Sequence, residues 1–243
     1  MPTTEIATLA LTPGSDIGDP NNAASATLNE CGNVLVKQPG LLALRFGPQV
    51  EDSSKMQMFI SECACLNLLS LPQLSNLRSD WESTQRHHDF MASEDYPPFL
   101  EKMKTIMAGP PSFAHVDFDT DGLASALKAP VTEVATFYFN EKPPDAYVPG
   151  VVEFVKACAA DAGVGKGPTR YALGTTHESI EKDGVKGQSV VLVIGWESVE
   201  QHMELRKTEV FQQNRSKLVG GSGGGTPGAM EVHHTTFMDF VAS

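Results

Sequence analysis

The stretch TEIATL at residues 4–9 decides the fold, because it returns as TEVATF at residues 132–137. Each copy alternates apolar and polar positions and contains β-branched residues, a pattern typical of a strand with one buried face. A repeat of this kind indicates two copies of one structural unit, each of which buries its apolar face against the other. The sequence therefore predicts two related units.

A second motif repeats at the other end of each copy. Trp81-Glu82-Ser83, with His87 shortly after it, returns as Trp196-Glu197-Ser198 with His202. The serine of each motif suits the N-cap of a helix, and Gln201 completes a capping box in the second copy. We expect each tryptophan to end a strand and each histidine to lie about one turn into the next helix.

The elements between these motifs also correspond. Each copy has one apolar helix stripe with steps of four, three and four residues: Ala24, Leu28, Cys31 and Leu35, then Val151, Val155, Cys158 and Ala162. Two strand candidates follow each stripe, at residues 41–46 and 56–60 and at residues 169–175 and 189–195. Closing strands are predicted from Ser112 to Asp119 and from Met230 to Phe240. The order is βαββαβ twice, which predicts an α+β fold of two ferredoxin-like units with helices on one face of each sheet.

The strand that ends in Trp-Glu-Ser, the helix with His87 or His202 and the closing strand together resemble the dimeric α/β barrel superfamily. Within it they are most similar to antibiotic-biosynthesis monooxygenase (ABM) domains, particularly tandem fungal members. The resemblance implies two tandem units packed sheet to sheet as an intramolecular barrel, at residues 1–120 and 130–243, in a monomer or a homodimer. It also implies enzymes without a bound cofactor that let an activated phenol or quinol react with oxygen, and relatives that isomerise, cyclise or decarboxylate.

The first copy carries an insertion at about residues 61–79 that the second copy lacks, since Val193-Ile194-Gly195 leads directly into Trp196. The insertion is rich in leucine. A lid, an added interface helix and a retained intron are the three interpretations, and the sequence does not choose among them.

Composition excludes several classes of partner. The formal net charge of -12 repels phosphate backbones and anionic membranes, so neither nucleic acid nor a membrane is an expected partner. No apolar run approaches the roughly 20 residues of a membrane span, and Met1–Glu5 lacks the start of a signal peptide. The four cysteines show no disulfide framework. We expect a cytoplasmic protein with reduced thiols.

His87 and His202 are the leading catalytic candidates. Each is predicted near a helix start, where the positive helix end disfavours imidazolium and helps keep the ring neutral, as a base requires. The alternative is a structural histidine bonded across to the tryptophan strand.

His115 and Asp117 form a second catalytic candidate, because residues two apart on a strand share a face and the carboxylate could orient the imidazole. His234 and Thr236 occupy the matching places in the second copy, so the asymmetry favours acid/base chemistry in the first. A solvated strand face explains the same residues.

The remaining candidates concern ligands. We expect a substrate cavity between sheet and helices lined by Arg45, Trp81, Tyr171, Trp196 and His234, although the tryptophans equally suit an ordinary core. No metal is expected, because neighbouring histidines such as His87-His88 diverge in direction and no Cys/His/carboxylate cluster has suitable spacing along the chain. No motif calls for flavin, NAD or another cofactor.

The resemblance, together with these residues, implies a cofactor-independent enzyme of secondary metabolism that acts on an apolar aromatic or polyketide-like small molecule. The predicted reaction is monooxygenation, isomerisation or cyclisation, with a histidine in the pocket. The alternative is a non-catalytic small-molecule-binding or stress-responsive protein of the same fold. Either function requires a cavity of roughly 300 Å³ or more that contains a histidine.

Overall fold

The structure of the protein is a computed structural model, which describes residues 3–62, 87–161, 167–220 and 225–242. The chain forms two compact units. Unit 1 consists of Met1–Asp117 with Phe237–Ser243, and unit 2 of Phe118–Thr236. The predicted insertion at residues 61–79 and Trp81 lie mostly or wholly outside the described residues.

Strands and helices follow the predicted order in both units. The strands are β1 (Thr3–Ala10), β2 (Leu41–Pro48), β3 (Lys55–Glu62), β4 (Ser112–Asp117), β5 (Val131–Tyr138), β6 (Arg170–Thr175), β7 (Ile180–Lys182), β8 (Val185–Gly187), β9 (Ser189–Trp196), β10 (Ala229–Thr235) and β11 (Met238–Asp239). The helices are α1 (Ala23–Leu35), α2 (Tyr96–Lys104), α3 (Thr120–Leu127), α4 (Tyr147–Asp161), α5 (Val199–Arg206), α6 (Glu209–Asn214) and α7 (Ser216–Val219), and residues 87–91 are also helical. No helix in these ranges is both long and apolar enough to cross a membrane.

Each unit has an antiparallel sheet with the same arrangement of strands. The order in unit 1 is β11-β2-β3-β1-β4, and the order in unit 2 is β10-β5-β9-β6. Read from the opposite edge, β6-β9-β5-β10 matches β2-β3-β1-β4, as two βαββαβ units require. The prediction of an α+β fold with antiparallel sheets is therefore confirmed. A short hairpin, β7-β8, lies in the connection between β6 and β9.

The predicted helix stripes form the cores. All four stripe residues of α1 are buried, and so are the three of α4 that the structure describes: Val151, Val155 and Cys158. Ala162, the fourth, lies outside the described residues. Ser198 caps α5 as predicted, because its hydroxyl accepts a hydrogen bond from the backbone N–H of Gln201 at 3.3 Å.

The C-terminal segment departs from the predicted closing strand. The strand expected from Met230 to Phe240 ends at Thr235, and the chain then returns to unit 1, where β11 pairs with β2. In this pairing Met238 faces Phe46 and Asp239 faces Arg45. Side-chain periodicity does not distinguish a single strand from two strands that pair with different partners.

Helix α3 is the second departure, because the sequence pattern predicts no helix between the closing strand that ends at Asp119 and the repeated stretch at residues 132–137. The side chain of Asp119 caps this helix by accepting from the N–H of Gly122 at 3.1 Å. The helix contacts β6 and β9, where a Cβ on Gly195 would lie 2.7 Å from the Cβ of Ala129 and 2.9 Å from the carbonyl oxygen of Ala126. Gly195 therefore permits this close approach, on the face opposite Trp196.

Replacing Gly32 with alanine tests how the C-terminal segment packs on α1. A Cβ at this position would overlap the ring of Phe240. We expect Gly32→Ala to lower the free energy of unfolding by about 1–3 kcal/mol through overpacking. In a Phe240→Ala background the same substitution should raise it by up to about 1 kcal/mol, since alanine is the better helix former. Urea denaturation of the four proteins measures both effects, and the same sign in both backgrounds would contradict this packing.

Candidate functional site

Strand register brings a glutamate and a histidine together in each unit. Glu5 on β1 lies directly opposite His115 on β4, and Glu133 on β5 lies directly opposite His234 on β10. Directly opposite residues of an antiparallel pair share a face, so each pair lies on the same side of its sheet. His87 and His202 join these pairs from the neighbouring helices. One potential ligand atom from each residue of a set lies within 4.8 Å of the others.

In unit 1 the glutamate is the centre of the cluster. His87 Nδ1 is in hydrogen-bond contact with Glu5 Oε2, and His115 Nε2 lies 3.7 Å from the same oxygen. Glu5 is only 4% exposed. Burial by itself would raise the pKa of Glu5, but hydrogen bonds with His115 and His87 outweigh it, so the pKa lies below its usual value. The buried carboxyl group is therefore held ionised beside two imidazole rings.

In unit 2 the corresponding residues form a denser network. His202 Nδ1 lies 2.9 Å from His234 Nε2 and 3.5 Å from Glu133 Oε2. Trp196 Nε1 donates a hydrogen bond to the same Glu133 oxygen at 2.9 Å, and the indole ring stacks on His202 at 5.0 Å between ring centroids. All four side chains are buried. The orientation of His202 is thus fixed by contacts on its edge and on its face.

The two glutamates are the residues that sequence reasoning missed. Both stand at the second position of the repeated stretch, but a glutamate in an alternating strand is normally read as facing solvent. The available signal was the same acidic residue at the same position of both copies. Its role was hidden because its partners lie far away along the chain.

A cavity adjoins each cluster. The cavity in unit 2 has a volume of about 370 Å³, and Glu133, Trp196 and His202 are among its lining residues. The cavity in unit 1 has a volume of about 170 Å³, with Glu5 and His87 in its wall. Only the first reaches the roughly 300 Å³ that small-molecule sites usually have. Unit 2 therefore meets the size requirement for a ligand site.

The other predicted site residues have varied positions. Asp117 Oδ1 accepts a hydrogen bond from the hydroxyl of Thr3 at 2.5 Å, so the carboxylate that strand pairing sets opposite His115 is Glu5. Arg45 forms an ion pair with Asp239 at 2.5 Å, and neither Arg45 nor Tyr171 lines the two cavities. The proposed role of these two side chains in holding substrate is not supported by their placement. His234 contacts His202 from behind the cavity wall.

The two clusters also bear on metal binding. A Glu with two His is a donor set that binds transition metals, and the fold assembles it twice although no suitable spacing exists along the chain. Chain spacing alone therefore did not reveal these donor sets, and the absence of a metal stays a prediction. The donor groups also contact one another, through hydrogen-bond contacts between His87 and Glu5 and between His202 and His234.

The pH dependence of stability should report the cluster in unit 1. Because folding lowers the pKa of Glu5 below 4.5, the ionised carboxylate stabilises the fold above that pH, and this contribution is lost as the pH falls through the folded-state value. We expect the free energy of unfolding to fall more steeply below about pH 4.5 in the wild type than in Glu5→Gln. Glu30→Gln, which removes an exposed carboxylate paired with Lys102, is the matched control and should retain the wild-type slope.

The chain matches no model of a protein family and no curated protein. Solved structures share its fold. An anthrone oxidase-like protein superposes with a TM-score of 0.58 at 13% identity, over 98% of this chain and 93% of that chain. A candidate monooxygenase from Lactobacillus acidophilus superposes with a TM-score of 0.52 at 11% identity, over 100% of this chain and 97% of that chain. A second candidate monooxygenase, from Fusobacterium nucleatum, superposes with a TM-score of 0.50 at 12% identity, over 98% of this chain and 94% of that chain. This likeness shows the fold, in agreement with the resemblance drawn from the sequence.

Proposed function

We propose that the chain is a cofactor-independent enzyme that acts on an apolar aromatic or polyketide-like small molecule in the cavity of unit 2, with His202 as the proton acceptor. The observation that carries the proposal is a buried Glu–His pair in the wall of a largely apolar cavity of sufficient volume. Such a pair removes an acidic proton where water does not compete.

The contacts of His202 support one position for its proton. Both neighbours of Nδ1, the carboxylate oxygen of Glu133 and Nε2 of His234, can accept a hydrogen bond. In this proposal the neutral ring carries its proton on Nδ1, and the lone pair on Nε2 is the base. Glu133 is then a positioning residue that also stabilises the imidazolium formed when the substrate loses its proton.

The chemistry that follows depends on the substrate. An anion of a phenol or of an activated methylene group is electron-rich and can react directly with dioxygen, which then serves as the oxidant. The same anion can instead isomerise or cyclise without oxygen. One structural neighbour, the anthrone oxidase-like protein, suggests anthrone as a probe. Its balanced reaction converts one anthrone and one dioxygen into one anthraquinone and one water, with His202 taking the methylene proton and returning it to the peroxide intermediate.

The experiment follows anthrone and oxygen together. We expect the purified protein to consume the two in equal amounts under air, with anthraquinone formed, and to form no quinone under nitrogen. A chelator should leave the rate unchanged. A rate that is lost on chelation and restored by a divalent cation would contradict the proposed base and assign the Glu133, His202 and His234 side chains to a metal.

Binding without turnover is the second candidate function. The stack of Trp196 on His202 and the contact with His234 favour it, because they also describe a structurally satisfied histidine. If anthrone quenches the tryptophan fluorescence of the protein but is recovered unchanged under air, the result would support binding over catalysis.

The assembly of the protein belongs to the same proposal. Packing of the two sheets against each other, and with it a monomeric or homodimeric chain, stays a prediction from the resemblance. Light scattering of the purified protein distinguishes a monomer of 26.1 kDa from a dimer.

A further inference from the structure

The two cavities differ at their mouths. Counted from His87 and His202, matching helical positions carry similar residues near the clusters, such as Phe90 and Leu205. Farther along, Leu100 stands 13 residues after His87 and Arg215 stands 13 residues after His202, and each lines the cavity of its own unit.

Unit 2 has two arginines at its cavity mouth. Arg206 and Arg215 both line this cavity and both are exposed, whereas the described lining of the unit 1 cavity contains no lysine or arginine. Met91 stands where Arg206 stands in unit 2, counted from the two histidines. A cation that lies at the edge of an apolar cavity is placed to meet the charged end of a bound ligand.

Neither of these arginines forms an ion pair with a described residue. Arg206 Nη1 contacts the sulfur of Met203 at 3.9 Å, and Arg215 Nη1 donates to Gln212 Oε1 at 3.4 Å. In contrast, Arg45 and Arg170 are paired with carboxylates. Unpaired arginines are notable in a chain with a formal net charge of -12.

The neighbouring acidic side chains have other partners. Glu204 Oε1 accepts from Lys207 at 2.6 Å, and Glu153 Oε2 lies 3.1 Å from the ammonium group of Lys217. The positive charge at the mouth is therefore not locally cancelled by these carboxylates.

The charges also orient a ligand. Glu133 lines the same cavity as the arginines, and a buried carboxyl group disfavours a second negative charge beside it. An anionic group on the ligand is thus directed to the mouth, while its apolar body lies along side chains such as Phe137 and Leu192.

We propose that the unit 2 cavity selects apolar aromatic ligands that carry a carboxylate, which Arg206 and Arg215 bind at the mouth. The proposal rests on the proposed function in taking this cavity as the ligand site. Guanidinium groups suit this task because they bind carboxylates through two parallel hydrogen bonds.

The test compares two probes of similar size that differ in charge. Anthracene carboxylate is an anion, and anthracene methanol is uncharged. A Trp81→Phe background leaves Trp196 as the single tryptophan of the chain, so energy transfer to the probe reports binding in unit 2. We expect the carboxylate to bind about tenfold more tightly than the alcohol at low salt, with the preference reduced at high salt.

Variants locate the source of the preference. The double variant Arg206→Gln with Arg215→Gln should bind the two probes equally well, because only the binding of the carboxylate probe is weakened. Arg170→Gln is the matched control, because Arg170 is paired with Glu197 and lines neither cavity, and it should keep the full preference.

The outcomes separate the two proposals. Equal binding of both probes by the wild type, or a preference that survives in the double variant, would overturn the carboxylate site and leave the proposed function standing. The same loss in Arg170→Gln would also overturn it. If neither probe receives energy from Trp196, the carboxylate site is overturned, whereas the proposed function fails only if the protein also leaves anthrone unconsumed. A His202→Gln protein that loses turnover but keeps the preference supports two separate roles.

Discussion

His202→Gln is expected to lower kcat for anthrone oxidation by about 10²–10⁴-fold with little change in KM, because it removes the proposed proton acceptor and leaves the cavity wall in place. Glutamine is close in size to histidine and is not a base at neutral pH. Oxygen uptake and anthraquinone formation measure the rate. His177→Gln, an exposed histidine of the same unit, is the matched control and should keep the wild-type rate.

Two further variants sharpen this expectation. Glu133→Gln keeps the shape of the cavity wall but removes the charge beside His202, so its loss should be smaller than that of His202→Gln. His87→Gln tests the first unit. A large loss in His87→Gln combined with a normal rate in His202→Gln would place the reaction in unit 1 and contradict the assignment to unit 2.

Trp196→Ala is expected to lower the free energy of unfolding by about 3–5 kcal/mol. The indole is 1% exposed, packs in the core of unit 2 and donates a hydrogen bond to Glu133. Since domains are stable by only about 5–15 kcal/mol, this loss is a large fraction of the total. Thermal unfolding followed by circular dichroism measures it.

Trp196→Phe separates packing from the hydrogen bond. Phenylalanine keeps most of the apolar contact but leaves Glu133 without the indole N–H, which should cost about 1–3 kcal/mol. Met203→Ala, at a side chain that is 42% exposed, is the control and should change stability by less than about 0.5 kcal/mol. A Trp196→Ala protein as stable as this control would contradict the described core.

Local pattern predicted the elements well. The stripe at Ala24, Leu28, Cys31 and Leu35 became the buried face of α1, and the repeated TEIATL stretch became β1. These predictions succeed because side-chain periodicity depends on neighbours within two turns of a helix or a few residues of a strand.

The sequence predicted the histidines of the two clusters but not their glutamates. His87, His115, His202 and His234 were all singled out, yet the expected partner of His115 was Asp117, two residues away on its own strand. The structure instead sets Glu5 opposite His115, on a strand more than 100 residues earlier in the chain. Proximity along the chain did not reveal Glu5, because register between distant strands is not visible in either strand alone.

The structure also shows a different asymmetry between the two units from the one that the sequence predicts. Sequence comparison placed it at Asp117 and Thr236, whereas the structure shows it in the cavities, as a difference in volume and in the arginines at the mouth of unit 2. Arg206 and Arg215 were not predicted as site residues, because isolated charges on helices usually face solvent.

The sequence by itself determined the repeat, the type and order of most elements, the buried helix stripes and the histidines worth testing, since all of these follow from short-range periodicity and capping. Only the tertiary structure decided that Glu5 and Glu133 lie beside those histidines and that residues 238–239 pair with the sheet of unit 1. It also decided that two arginines without an ion pair to a described residue line the cavity of unit 2. The physical reason is that strand pairing joins residues far apart in the chain, and its register is set by the packing of the whole unit.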